Sequence, residues 1–534
     1  MSRLRLAGGR VYDPAHGIDG AVRDICLDDG RIVADLPPDA PTLDVTGLVV
    51  MPGGIDIHAH IASGSTNLAR RLLPEEHAAD PEAAPPFAAG RSGTGGTTPS
   101  TFTTGYRYAR MGYTTVFDAA VAPLMARHSH AEMQDTPILD TGFYVLMGND
   151  DYLLAELAAG RTRWVKDYAA WLLARTGGYA IKIVDAGGVE QWKAGVKELI
   201  DLDDPCGPNG LTPRKVMLAL AEAADALALP HPIHLHCNRI GQPGNSATTL
   251  RTLEALDGHR AHVTHLQFHC YGGERGKGWR SEARAIIDHI NAHPSLSFDV
   301  GQVVFGPATT LSGDCPAQYL LHRAADRKWL NVDLELEGGC GIIPYAYKQS
   351  AAVAALQWAI GLELFLLAAD PWRIVLTTDH PNGGLFQAYP HIIRLLTDRA
   401  FRAEALKAVN PKWLQGSALL DGLDREYTLG EICIITRAGP ARLLGLAGKG
   451  HLGPGADADI TVYRPQDDAA AMFAAPVHVL KGGVPVVRDG ALVASVAGRR
   501  LSVAPAYDEA VVAEVRRFHE RFGSVSFENF ASVA

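Results

Sequence analysis

Residues 48–60 read LVVMPGGIDIHAH. An apolar run meets a Pro-Gly-Gly break, a second short apolar run follows, and His58 and His60 close the stretch. Successive side chains on a strand point to opposite faces, so residues two apart share a face. His58 and His60 therefore project two imidazoles from a strand end toward one point. Neutral imidazole is a common metal ligand, and two on a rigid strand make half of a tetrahedral site. The same pair would also serve as a polar strand end. The preceding strand and turn, and the clusters downstream, favour the metal.

The chain around this stretch has 534 residues, enough for about three or four domains or for one α/β barrel with insertions. A hydrophobic share of 47% with 20% charged residues suits a large buried core. The formal charge of -10 argues against nucleic acid or an anionic membrane as the main partner. No stretch reads as a membrane span, and MSRLRLAGGR lacks the apolar core of a signal peptide. Cys26, Cys206, Cys237, Cys270, Cys315, Cys340 and Cys433 are scattered, with no Cys-x-x-Cys pair. That excludes an obvious iron–sulfur or zinc-ribbon framework and fits reduced thiols in a cytoplasm.

Upstream, LRLAGGRVYD, DICLDDGRIVAD and LDVTGLVV alternate apolar residues with Gly and Asp turns, the signal of short hairpin strands. Similar segments return at 453–465 and 479–493. Downstream, residues 63–107 are rich in Gly, Ser, Thr and Pro and read as one long loop, whose amides could bind a substrate carboxylate or amide. A helix over 103–112, a strand over 114–120 and two helices near 150–175 follow. Residues 274–330 read as helical around a central strand, LSFDVGQVVFG.

Four further clusters carry chemistry. In YAIKIVDAGG (179–188), Lys182 sits on an apolar strand, where an unpaired lysine is costly. It either snorkels or pairs with a carboxylate such as Asp185, or burial lowers its pKa and exposes a neutral amine able to take up carbon dioxide. LPHPIHLHCNRIGQPGN (229–245) offers His234 and His236 on one strand face, and AHVTHLQFHCYGG (261–273) offers His262, His265 and His269. Asp333, Glu335 and Glu337 alternate on one face, as a second cation site or as a solvated edge. Finally, the strand RIVLTT ends at Asp379, ahead of His380-Pro381-Asn382-Gly383.

MPGGIDIHAH resembles the first-strand signature of the amidohydrolase superfamily, metal-dependent hydrolases built on a (β/α)8 barrel. The resemblance implies a barrel over 51–440 and a small composite β-sandwich from residues 1–50 and 441–505, leaving a helical tail over 506–534. It selects His58, His60, Lys182, His236, His265 and Asp379 as ligands of two divalent cations, with zinc the metal that best suits imidazole and carboxylate. It further implies that Lys182 is N6-carboxylated and bridges the two metals, and that Asp379 relays the proton between water and leaving group.

A narrower resemblance rests on RSGTGGTTPSTFTTGYRYARMGYTTVFDAA, PIHLHCNRIGQPGN, HVTHLQFHCYGG, ALQWAIGLELFLLAADPWRIVLTTDHPNGG and ITRAGPARLLGLAGKGHLGPGADADI. Together these are similar to the A subunits of formylmethanofuran dehydrogenase and of the bacterial formyltransferase/hydrolase complex. That implies hydrolysis of N-formylmethanofuran to formate and methanofuran, with other subunits and a methanofuran-type formyl carrier as partners. An Arg- and Ala-rich composition favours the bacterial complex over the archaeal dehydrogenase. The rival expectations are a cyclic-amide hydrolase of dihydropyrimidinase or dihydroorotase type, and a catalytically silent scaffold protein. In the tail, Val511, Val512, Val515 and Phe518 recur at helical spacing, either to dock a partner or to pack on this chain's own barrel.

Overall fold

Short runs rich in Val, Ile and Ala, each followed by a helix, are the pattern of a parallel sheet covered on its outer face. In the structure, a computed structural model describing residues 3–87, 93–274, 277–332, 340–409, 414, 416–523 and 525–530, eight such runs lie side by side in chain order. They are Gly54–Ala59, Tyr113–Val121, Asp140–Leu146, Ala180–Val184, Ile233–His236, Ala261–Val263, Leu296–Asp299 and Ile374–Val375. All neighbours are parallel. The ring closes where Ala59 bridges His380 and the His60 amide donates to the His380 carbonyl at 2.7 Å. The result is a (β/α)8 barrel, whose C-terminal strand ends form one face.

Register stacks the polar interior in layers. Lys182 on the fourth strand lies level with His234 on the fifth, His234 with His262 on the sixth, and His262 with Ser297 on the seventh. His236 stands two residues higher, level with Val184.

Strands from both chain ends form a single nine-stranded sheet, in which Val49–Pro52 pairs antiparallel with Ile460–Tyr463. Leu6, Val11, Ile25, Val50, Ile460 and Val462 pack its interior. Gly53 joins this sheet to the first barrel strand. A Cβ there would lie 2.3 Å from the Thr114 hydroxyl, so only glycine permits the close crossing. Buried charges tie sheet to barrel: Lys449 reaches Asp140 at 2.6 Å and Asp459 at 2.7 Å, and Lys481 reaches the same two at 2.9 and 2.8 Å.

Residues 63–107 are not one loop. Helices Gly64–Leu72 and Pro74–Ala79 and a short hairpin, Pro81–Glu82 with Gly93–Thr94, fill much of this stretch. The Ser, Thr and Pro that suggested a loop act as helix starts. The Ser63 hydroxyl accepts the Thr66 amide, Pro74 opens the second helix, and Ser100 caps the next, Thr101–Ala109. Within 274–330, the strand and helices are joined by an unexpected antiparallel sheet, Gly306–Ser312, Leu330–Val332 and Cys340–Tyr347, beside helix Cys315–Ala325. Asp333, Glu335 and Glu337 lie outside the described residues.

The tail helix, Ala510–Phe522, packs on helix Val165–Thr176 of its own barrel. Val511 and Val515 are buried there, while Val512 and Phe518 are partly covered. The stripe is thus occupied intramolecularly and is not an open docking face. Among the described residues, no helix is long and apolar enough to cross a membrane.

Candidate active site

Each barrel strand delivers its polar residue where it ends. His58 and His60 close the first strand, Asp118 stands near the end of the second, Lys182 is on the fourth and His236 ends the fifth. His265 follows the sixth, Asp299 ends the seventh and Asp379 follows the eighth. His265 and Asp379 take left-handed backbone conformations, with φ of 36° and 51°. Such φ values are uncommon for residues other than glycine, and hydrogen bonds hold both in place. The His265 amide donates to Asp299 Oδ1 at 2.9 Å, and the Asn382 amide donates to the Asp379 carbonyl at 2.6 Å.

Asp379 is the hub on one side. Its Oδ1 lies 3.0 Å from His58 Nε2, 3.2 Å from His60 Nε2, and accepts from Asn382 Nδ2 at 3.0 Å. Burial opposes its charge, but His58 and His265 outweigh burial and hold the carboxyl well below its ordinary range. Burial likewise opposes a charged His58, yet Asp299 and Asp379 on either side push its pKa up to about 9. Two carboxylates thus hold a positive charge between them, a place a cation can take.

Beneath the site runs a chain of imidazoles whose proton order follows from its lower end. His231 Nδ1 faces the Leu443 carbonyl at 2.8 Å, and a carbonyl only accepts, so Nδ1 carries the proton. Burial drives the His231 pKa down to about 3 and the His234 value well below normal, so both rings are neutral. His231 Nε2 therefore accepts from His234 Nδ1 at 3.0 Å, and His234 Nε2 accepts from His58 Nδ1 at 3.0 Å. That same His58 nitrogen lies 3.1 Å from Asp299 Oδ2. With Nδ1–H engaged below, His58 turns Nε2 toward Asp379. Asp299 also receives His262 Nε2 at 3.3 Å and the Thr377 hydroxyl at 2.7 Å.

Lys182 is buried, and among the described residues its ammonium finds only the Thr264 hydroxyl at 3.5 Å. Asp185 does not pair with it: its Oδ1 accepts from Asn238 Nδ2 at 2.6 Å. Burial lowers the Lys182 pKa to about 8, against the pull of Asp379 and Asp299.

These residues share one cavity of about 540 Å³. His58, His60, Lys182, His236, His265 and Asp379 all line it. The rest of its wall is largely apolar, with Phe268, Trp279, Leu320, Leu321, Tyr345 and Tyr347. Residues of Gly306–Ser312, Cys315–Ala325 and Cys340–Tyr347, with the hairpin carrying Trp279, build that wall, so the segments above the strand ends shape the pocket.

A model of the amidohydrolase family matches residues 42–487, more than half of the chain. The chain belongs to the amidohydrolase family. The A subunit of the Fhc formyltransferase/hydrolase complex of Methylorubrum extorquens is 43% identical to it over 97% of this chain and 95% of that protein. Protein FwdA of Methanocaldococcus jannaschii is 42% identical over 98% of this chain and 96% of its own length. In the crystal structure of the Methylorubrum extorquens formyltransferase/hydrolase complex (FhcABCD) with methylofuran, one chain superposes with a TM-score of 0.93. That chain is 41% identical, and the match covers 99% of this chain and 96% of that one.

Amidohydrolases use metal ions, and the donors in this cavity fit a cation. His58, His265 and Asp379 can each place one ligand atom within 4.8 Å of the others, as can His236, His265 and His269. His60 Nδ1 and His265 Nδ1 are buried without a hydrogen-bond partner among the described residues. Unpaired buried imidazole nitrogens fit an ion or ordered water in their place.

The structure also supplies partners that motif reading passed over in this amidohydrolase. Asp299 ends its strand, Asp118 lies near the end of its own, and Asp379 follows the eighth; a carboxylate at a strand end is the signal that was available for the first two. Asp118 Oδ2 accepts the Ile61 and Ala62 amides at 2.8 and 2.9 Å and so fixes the turn after His60. Asp314, 3.3 Å from His236 Nε2, comes from the insertion and carries no motif. His234 and His262 support the site from the layer below.

Proposed function

We propose that this hydrolase cleaves the formamide of an N-formylated methanofuran-type carrier, releasing formate and the free amine, as the hydrolytic component of a formyltransferase/hydrolase complex. The observation that carries this reading is the full-length likeness to the Fhc protein of Methylorubrum extorquens, down to a TM-score of 0.93 with a chain of that complex. The apolar, aromatic wall around a polar floor supports it, since such a pocket suits a small amide on a ring-bearing stem.

Two divalent cations, zinc by ligand type, would be held by His58, His60, His236, His265 and Asp379. Lys182, N6-carboxylated, would bridge them. Its lowered pKa supports this, because near neutral pH an appreciable fraction is the free amine that reacts with carbon dioxide. The carbamate turns a buried cation into an anion between cations. Bound cations would supply Lewis acidity to a water and to the formyl oxygen. The protein's own residues do the rest. Asp299 and His234 orient His58, while Asn382 orients Asp379. The Asp379 carboxylate takes a proton from the attacking water as the carbon–oxygen bond forms. It returns that proton to the amine nitrogen as the carbon–nitrogen bond breaks. Water plus formamide thus gives formate plus amine.

The likeness to Protein FwdA is equally long, and the same site would serve the reverse condensation. The scattered cysteines, none in a disulfide among the described residues, support a cytoplasmic enzyme. The test is purification of the protein with its native partners, followed by a choice of substrates. The expected result is a hetero-oligomer that releases formate from N-formylmethanofuran. A fully active monomer that opens cyclic ureides would replace this reading with the dihydropyrimidinase type, and an inert, metal-free chain would leave a scaffold.

A further inference from the structure

His58, His60 and Asp379 account for one side of the cavity floor. On the other side stand His236 and His265, and beside them a histidine to which the six-ligand pattern gives no role. His269 ends the short turn Leu266–His269 and is completely buried. Among the described residues, neither of its ring nitrogens has a hydrogen-bond partner. One nitrogen each of His236, His265 and His269 lies within 4.8 Å of the others. Their ring centres are 4.6, 5.5 and 5.4 Å apart, and the His236 ring stands edge-on to both neighbours.

The donor chemistry points to a cation in this group. All three rings are buried, each with a ring nitrogen that has no hydrogen-bond partner among the described residues, and such a nitrogen can offer its lone pair to an ion. Beside them, Asp314 is a completely buried carboxylate. Its Oδ1 accepts the Ala317 amide at 2.8 Å; its Oδ2 lies 3.3 Å from His236 Nε2, and neither of these two buried atoms has a hydrogen-bond partner among the described residues. A proton on His236 Nε2 would face that oxygen and leave Nδ1 as the donor atom. Carboxylate–histidine pairs of this kind fix the tautomer of metal-binding imidazoles.

We propose that His269 is a third imidazole ligand, with His236 and His265, to one of the two cations, and that Asp314 is the positioning residue that fixes His236. The inference rests on the metal-dependent reading above and adds two residues to its ligand system. Three imidazoles are a donor set that suits a zinc-like ion.

The test uses the purified native protein or complex. Zinc content is measured by elemental analysis, and affinity by competition with a chromophoric chelator. His269→Phe keeps ring volume and removes both nitrogens, and His269→Gln keeps polarity if the first variant folds poorly. Each should retain one tightly held ion and bind the second at least about tenfold more weakly. Asp314→Asn should weaken the same ion, with the other unaffected. The cobalt(II)-loaded native protein gives a readout that needs no variant. Five histidine ligands would give five strongly shifted exchangeable ring N–H resonances, and four would give four. Four resonances, or native stoichiometry and affinity in a folded His269 variant, would overturn the proposal while leaving the hydrolase reading intact. A native protein that holds no metal would overturn that reading itself.

Discussion

Asp299→Asn is the sharpest single-atom perturbation of the site. All four partners of Asp299 are donors: His58 Nδ1 and His262 Nε2 meet Oδ2 at 3.1 and 3.3 Å, and the Thr377 hydroxyl and His265 amide meet Oδ1 at 2.7 and 2.9 Å. An asparagine is the same size but must turn an NH2 toward one of these pairs. Facing the histidines, it meets two ring N–H groups. Facing the other way, it meets the His265 backbone N–H, which cannot rotate. Either way at least one buried donor loses its acceptor, at a cost of about 1–3 kcal/mol in stability. The charge is lost as well. Burial opposes that charge, but His58 and His262 outweigh it and hold the carboxyl well below its usual range. Removing a partner that orients a metal-binding histidine typically costs about 10–100-fold in metal affinity, or about 1.4–2.8 kcal/mol. The assay is equilibrium competition with a chromophoric chelator, with thermal unfolding of the metal-free protein alongside. Zinc affinity within twofold of the native value in a folded variant would refute the reasoning that Asp299 prepares His58 and His265.

Asp379→Asn keeps the shape but cannot shuttle a proton, so formate release should fall by about 10²–10⁴ in a protein of native circular dichroism. Lys182→Ala should lose at least one metal ion and most activity, with partial recovery of both on adding a short-chain carboxylate; full metal content in the variant would refute the bridging role. Asp140→Asn breaks the buried lattice with Lys449 and Lys481 and should lower the stability read from urea unfolding by about 3 kcal/mol, the low end for such a loss because Asp459 still holds both lysines. Lys481, Lys449 and their hydrogen bonds overcome burial to depress the folded-state pKa of Asp140 and Asp459, so their contribution is complete above the unfolded value of about 3.9 and fades as pH falls through the lower folded values. The variant should therefore lose less stability than the native protein between pH 4 and pH 2, and an unchanged acid profile would count against the lattice.

The strand-end chemistry was legible because it follows simple rules. His-x-His after a Pro-Gly break, a lysine within an apolar strand and an aspartate closing RIVLTT each stand out by residue type, and the barrel brings them to one cavity. Partners without a motif were harder to see. Asp299 sits in LSFDVG and looks like any strand-end carboxylate until register places it under His58. Residues 63–107 misled because Ser, Thr and Pro are shared by loops and helix starts, and only the neighbours that accept or donate decide between them. Periodicity found the tail stripe but could not say which surface covers it. The structure gives that role to Val165–Thr176 of the same chain. Asp314 was invisible, since its insertion meets His236 only through the fold.

The central claim is that a cation held by these residues hydrolyses a formamide. The most direct test is the rate of formate release from N-formylmethanofuran by the native complex, measured as isolated, after exhaustive chelation, and after zinc is returned. The account predicts release in the first state, loss in the second and recovery in the third, in step with zinc bound per chain. Formate release that persists at full rate without metal, or a metal-loaded complex that releases no formate, would contradict it.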